Sequence, residues 1–240
     1  MKYIIYAILI VVLSFSLMSC SDITQYTHAK KAIRYAVQGN FAQAEKEFRK
    51  MPALNPYDLG VKTSYLRIIK DVTNQKIQRQ TAIHIFRAID YINFSFAKDK
   101  FADIIKESKE AININPDYDE SYYYLGFGYA HTGMLDEAII AFKKAIDINP
   151  DHALVHFQLG TTYLKKNSLD EAEIELKRTI AINPNSAEAH YNLSVLYNAR
   201  GQYDLAIEHV DTAIKIGYLE SIGIKIEHKL LENLEPHRRK

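Results

Sequence analysis

The sequence predicts an all-α fold, a stack of antiparallel helix pairs, and three observations predict it. First, Asn115-Pro116, Asn149-Pro150 and Asn183-Pro184 stand 34 residues apart. Second, alignment on these pairs puts Ile112, Ile146 and Ile180 in one column and Ile114, Ile148 and Ile182 in another, so each period closes on an apolar helix end. Third, the interior of each period repeats small and aromatic residues at helical spacing, as stacked supersecondary units require. Proline supplies the stop, because it disfavours helical backbone at the residue before it.

Residues 1–19 differ from everything that follows. Lys2 precedes an almost unbroken apolar run, Tyr3 to Met18, and polar sequence begins at Ser21 and Asp22. Such a run is short for a membrane-spanning helix and suits the core of a secretory signal peptide. Leu17-Met18-Ser19-Cys20 resembles the lipobox of bacterial lipoproteins, with Met18 where a smaller residue is usual. The resemblance implies cleavage before Cys20 and lipidation of its thiol, leaving 20–24 as a lipidated N-terminus. Cys20 is the single cysteine in the chain, so no intrachain disulfide is expected. Two or three acyl chains hold a protein at a membrane far more firmly than one, at about 0.8 kcal/mol per buried methylene.

A degenerate helix pair is predicted over 25–58 from Ala32, Tyr35, Gly39, Ala44, Phe48 and Pro56, with Pro52 interrupting its second helix. Residues 59–84 are too few for a further repeat. Tyr65, Leu66, Ile68, Ile69 and Val72 suit a helix, whereas Asn74 to Gln80 is polar apart from Ile77, so a long unpaired helix or an atypical pair is expected there. A second degenerate repeat is expected over 85–118. Phe101, Ile104, Ile105 and Ala111 form its second helix, and Tyr91, Phe94 and Phe96 stand where a small residue and leucine are usual.

The regular array follows as three repeats, 119–152, 153–186 and 187–218. The first reads Tyr122-x-x-Leu125-Gly126-x-x-Tyr129, then Gly133, Ala138, Phe142, Ala145 and Pro150. The second has His156, Leu159, Gly160, Tyr163, Ala172, Leu176 and Pro184; the third has His190, Leu193, Ser194, Tyr197, Gly201, Ala206 and Ala213. Small residues at Gly126 and Ala138 let the two helices of a pair approach closely, and the aromatic and leucine positions fill the space between pairs. Leu219 to Leu234 is expected to be an amphipathic helix capping the apolar end of the stack, with 235–240 a basic tail through His237, Arg238, Arg239 and Lys240.

This pattern is similar to the tetratricopeptide repeat, with Tyr122 in place of the usual tryptophan. The resemblance implies a right-handed superhelical solenoid whose first helices line a concave groove for a peptide or partner helix. Carried onto this sequence, the groove positions are Tyr123, Phe127 and Ala130, then Phe157, Thr161 and Leu164, then Tyr191, Val195 and Asn198. An aromatic, apolar surface of this kind favours hydrophobic or amphipathic ligands. Cover by the chain itself or by a second copy is the other reading. Tyr124, Gln158 and Asn192 share a further column, placed either to bond a peptide backbone or to satisfy helix ends and water.

Other chemistry is not indicated. A net charge of +1 lacks the basic surplus of a nucleic-acid-binding surface. The spacing of His152 and His156 is compatible with a shared metal, but no third ligand is evident and His156 falls in a packing column, so no metal or cofactor is expected. No phosphate loop, H-E-x-x-H or G-x-S-x-G motif occurs, and the paired acids Asp136-Glu137 and Asp170-Glu171 fit helix-dipole complementation rather than acid–base chemistry. The chain is therefore expected to catalyse nothing and to bind other proteins from a lipid anchor, facing the periplasm from the outer membrane. Type IV pilus or secretion assembly, recruitment of a periplasmic hydrolase or protease, and outer-membrane protein insertion are the settings considered.

Overall fold

The computed structural model describes residues 20–51, 56–94, 100–216 and 228–237. The signal peptide expected over 1–19 lies outside these residues. Twelve α-helices and one 3-10 turn make up the described chain, with no strand among the described residues. The helices are α1 Cys20–Val37, α2 Phe41–Lys50, α3 Pro56–Thr73, α4 Arg79–Phe94, α5 Lys100–Ile114, α6 Asp119–Thr132, α7 Leu135–Ile148, α8 Ala153–Lys165, α9 Leu169–Ile182, α10 Ala187–Ala199, α11 Tyr203–Lys215 and α12 His228–Leu234. They fall into two compact units, Met1–Phe96 and Ala97–Lys240.

In the first unit α1 and α2 form a helix pair, α4 packs on α1, and α3 bridges α2 and α4. Phe48 is the centre of the core: it is fully buried, with Tyr65 of α3 and Phe86 of α4 at ring-centroid distances of 4.9 and 6.0 Å. Ala32, Ile33 and Ala44 are fully buried where α1 and α2 pack. Residues 59–84 contain most of α3, a turn, and the start of α4, so the helical stretch and the polar stretch read from sequence are a helix and its turn. Within that turn Ile77 is buried, anchoring an otherwise exposed loop. The division between the units falls inside 85–118: Tyr91 is half-buried on α4, and Phe96 lies outside the described residues.

The second unit is a succession of helix pairs. α6 packs on α7, α8 on α9 and α10 on α11, and each pair packs on the next; α5 precedes them against α6. Close approach within a pair needs a missing side chain. A Cβ at Gly126 would stand 2.7 Å from the Phe142 ring, and one at Gly160 would stand 2.9 Å from Leu176. Phe142 and Leu176 are fully buried. At the equivalent place Ser194 is also buried and turns its hydroxyl back to the Tyr191 carbonyl at 2.7 Å.

Each pair turns through one left-handed residue, Gly133 (φ +81°), Asn167 (+60°) and Gly201 (+71°), and α1–α2 turns in the same way through Gly39 (+78°). Asparagine is among the few non-glycine residues that tolerate this conformation. Between pairs, Asn149 and Asn183 end α7 and α9, each giving its N–H to the fourth residue back before the proline follows. At the C-terminus the predicted cap is described only over α12, where Leu230 and Leu234 are buried and the helix packs on α10 and α11. His237 is not a solvated tail residue, because its ring stacks on Tyr203 at 3.7 Å.

Candidate functional site

First helices of successive repeats touch directly, α6 with α8 and α8 with α10, so one continuous surface runs across them. Phe127, Phe157, Thr161, Leu164, Tyr191 and Asn198 are half-exposed there, and Val195 is 37% exposed. Tyr123 and Ala130 depart from the expected groove set because both are buried, at 6% and 7% exposure. The Tyr123 ring is enclosed by Tyr124 at 4.8 Å, His152 at 5.8 Å, and Phe127 and Phe142 at 6.4 Å. Phe127 in turn meets His131 at 4.1 Å, and His131 stacks on Phe101 of α5 at 4.7 Å. Aromatic packing has converted the start of the predicted groove into core.

Polar groups on the surface are partly committed. Asn192 donates from Nδ2 to the Thr161 hydroxyl at 3.2 Å, which itself donates to the Phe157 carbonyl at 2.9 Å. The amide of Asn192 thus joins two first helices. Gln158 is half-exposed and Tyr124 is buried, so the three do not form one equivalent row. Asn198 differs again: its Oδ1 is buried and accepts no hydrogen bond, an acceptor whose desolvation is uncompensated.

Ion pairs also join successive helix pairs. Lys166 pairs with Asp136, and one repeat later Arg200 pairs with Asp170. The acids lie in the first turns of α7 and α9, so they face the helix dipole and also tie one repeat to the next. Glu173 gathers Lys177 at 2.6 Å, the Tyr197 hydroxyl at 2.8 Å, and Arg200. The bond from Lys177, with those from Tyr197 and Arg200, outweighs burial and lowers the Glu173 pKa to about 2.

Sequence reasoning missed a recurring bond within the helix pairs. His156 sets Nδ1 2.6 Å from Glu175 and Nε2 3.0 Å from the Pro150 carbonyl, so both ring nitrogens face acceptors and suit the imidazolium. His28 faces Glu47 at 2.8 Å and His190 faces His209 at 2.9 Å, each pair again 19 residues apart. The signal was present as a histidine column followed 19 residues later by a hydrogen-bonding residue. His152 does not share a ligand site with His156. It sits before the first turn of α8, with Nε2 buried and 3.5 Å from Glu120 without hydrogen-bond geometry. Among the described residues no group of three or more His, Cys, Asp or Glu is arranged to hold a metal ion. No described helix is long and apolar enough to cross a membrane. Cys20 begins α1; its side chain lies outside the described set.

Comparison with known proteins agrees with this geometry. Two family models, both described as tetratricopeptide repeat, match residues 129–185 and 175–208. No curated protein sequence matched the chain. Among solved structures, a crystal structure of MamA aligns over 85% of this chain and 98% of its own, at 18% identity and a TM-score of 0.54. MamA from Desulfovibrio magneticus RS-1, residues 41 to the end, aligns over 67% of this chain and 98% of its own, at 18% identity and a TM-score of 0.52. At this identity the likeness concerns the fold. The models place tetratricopeptide repeats in residues 129–208, and the glycine-mediated helix pairs and shared architecture agree with that fold, an arrangement that supports a protein–protein interaction scaffold.

Proposed function

We propose that this chain is a lipid-anchored scaffold of the bacterial envelope that holds an apolar or amphipathic segment of a partner protein on its first-helix surface. The observation that carries this reading is the row of partly exposed side chains Phe157, Leu164, Tyr191 and Val195 on adjacent helices. Apolar side chains there gain most when a partner removes them from water. Anchoring rests on Cys20 after its apolar leader, and an outer-membrane position facing the periplasm follows from Ser21 beside the lipidated residue. The scaffold performs no catalysis of its own.

Photo-crosslinking tests the binding face. A benzophenone amino acid in place of Phe157 should capture a protein partner in cells, whereas one in place of Ile174, 65% exposed on α9, should not. Capture from Ile174 alone would overturn the reading. The identity of the captured protein separates three settings: a pilus or secretion subunit indicates assembly, a hydrolase or protease indicates an adaptor, and a barrel-insertion factor indicates outer-membrane protein insertion. The anchor has a separate test. Cys20→Ala should abolish fatty-acid labelling and leave a longer precursor, and unchanged labelling would remove the lipid from the proposal.

A further inference from the structure

The bond between residues 19 apart changes character along the chain. It is His28 to Glu47 in the first unit and His156 to Glu175 in the α8–α9 pair, but His190 to His209 in the α10–α11 pair. A carboxylate accepts a hydrogen bond from either protonation state of a histidine. An imidazole accepts only while its facing nitrogen keeps its lone pair. His190 and His209 face each other through Nδ1 at 2.9 Å, so one ring donates its Nδ1–H while the other accepts at Nδ1 and carries its own proton on Nε2.

Protons then add in an ordered way. The first goes to Nε2 of the donor ring, which takes no part in the bond, and leaves the bond in place with a charged donor. The second has only Nδ1 of the acceptor ring to go to, and there it removes the acceptor and sets two cations face to face. The two rings therefore titrate as a coupled pair.

We propose that the α10–α11 pair is a proton-sensitive joint: acid that doubly protonates His190 and His209 breaks their bond and loosens the last repeat, while the preceding repeat stays closed through His156 and Glu175. Glu208 and Glu173 favour the positive charge, but less than burial opposes it. Glu208, beside His209 on α11, is exposed. Glu173 and Lys177 on α9 neutralise each other at 2.6 Å, and Glu173 also pairs with Arg200 of α10. Tyr197 of α10 stacks on His209 at 5.5 Å with its hydroxyl already given to Glu173. Glu232 and Glu235, at the C-terminal end of the chain that packs on α10 and α11, are exposed.

The directions of titration agree with the geometry. Burial lowers the pKa of His190, and burial followed by the charge of His190 lowers that of His209. For groups shifted down, the folded-state contribution is present above the ordinary histidine value and is lost as pH falls through the shifted one. His156 has the opposite sign. Burial works against its charge, but the bonds to Glu175 and to the Pro150 carbonyl raise its pKa overall, so its contribution is complete below the ordinary value and is lost as pH rises.

Amide hydrogen exchange on the full chain at pH 7.5 and 5.0, corrected for intrinsic rates, tests the joint. Protection over 190–215 should fall about tenfold at the lower pH, while 156–182 keeps its protection. His209→Glu rebuilds the bond of the preceding repeat and should abolish the acid sensitivity of 190–215. Unchanged protection in the natural protein, an equal loss in both repeats, or acid sensitivity surviving in a folded His209→Glu protein would each overturn the proposal. If the variant does not fold, imidazole NMR of the natural protein decides. One ring titrating after the other and below the ordinary histidine value supports the joint, and both rings titrating at or above that value overturns it.

Discussion

The α1–α2 pair and the α6–α7 pair solve the same packing problem with the same residues, but their surroundings differ. Each has a small residue on the first helix, Ala32 or Gly126, a left-handed glycine in the turn, Gly39 or Gly133, and a fully buried phenylalanine on the second helix, Phe48 or Phe142. After α7 the chain repeats the unit. After α2 it forms α3 and α4, whose Tyr65 and Phe86 close directly on Phe48. A helix pair is thus a local solution, whereas the next layer depends on which side chains are offered to it.

The largest expected effect comes from removing the shared phenylalanine. Phe48→Ala and Phe142→Ala should each cost about 3–5 kcal/mol, read by denaturant unfolding. If the regions differ as described, Phe48→Ala should disrupt protection throughout the first unit, because α3 and α4 both close on that ring. Phe142→Ala should act mainly on α6 and α7. Equal spread in both variants would contradict the difference.

Glu47 sharpens the comparison electrostatically. It is 3% exposed and meets Lys50, His28 and Lys31, and the bond from Lys50, with that from His28, lowers its pKa to about 2. Glu47→Gln should destabilise by about 1–3 kcal/mol at neutral pH. The natural carboxylate contributes above the ordinary glutamate value and loses that contribution as pH falls through about 2. The glutamine variant should therefore show a flatter acid limb in a stability-versus-pH curve. Gly126→Ala forces a Cβ to within 2.7 Å of the Phe142 ring, and a loss of about 1–3 kcal/mol in thermal or denaturant unfolding is expected.

The smallest effects lie at the turns. A Cβ at Gly133 meets nothing within 4 Å, so Gly133→Ala isolates the conformational cost of positive φ, about 1–2 kcal/mol. Asn167→Gly should move the other way, stabilising by less than about 1 kcal/mol, because glycine relieves the same cost at φ +60°. Unfolding midpoints of the two variants give both signs in one experiment.

The regular array was legible in the sequence because its signals are local and repeat. Asn-Pro pairs end helices through backbone sterics, and Gly126 and Gly160 mark close approach wherever they occur. The α3–α4 stretch was less legible because it lacks those stops: the polar run Asn74 to Gln80 left a long unpaired helix or an atypical pair open and did not say that α4 would pack on α1. Burial of Tyr123 and Ala130 was not legible, since a first-helix position becomes groove or core according to its neighbours, here Tyr124, Phe142 and His152. Glu175 and His209 were visible only as partners 19 residues beyond the histidine column, a spacing that the period of 34 does not advertise.

The central claim is that binding belongs to the first helices and not to the second. The direct measurement is the affinity of the crosslinked partner segment for the chain carrying Phe157→Glu with Leu164→Glu, set against Ile140→Glu with Ile174→Glu. Ile140 and Ile174 are 69% and 65% exposed on second helices, so their replacement should leave folding intact. Loss of about tenfold or more from the first pair, which corresponds to roughly 1.4 kcal/mol, with no change from the second is the predicted result. Loss from Ile140→Glu with Ile174→Glu, with full affinity retained by Phe157→Glu with Leu164→Glu, would contradict it.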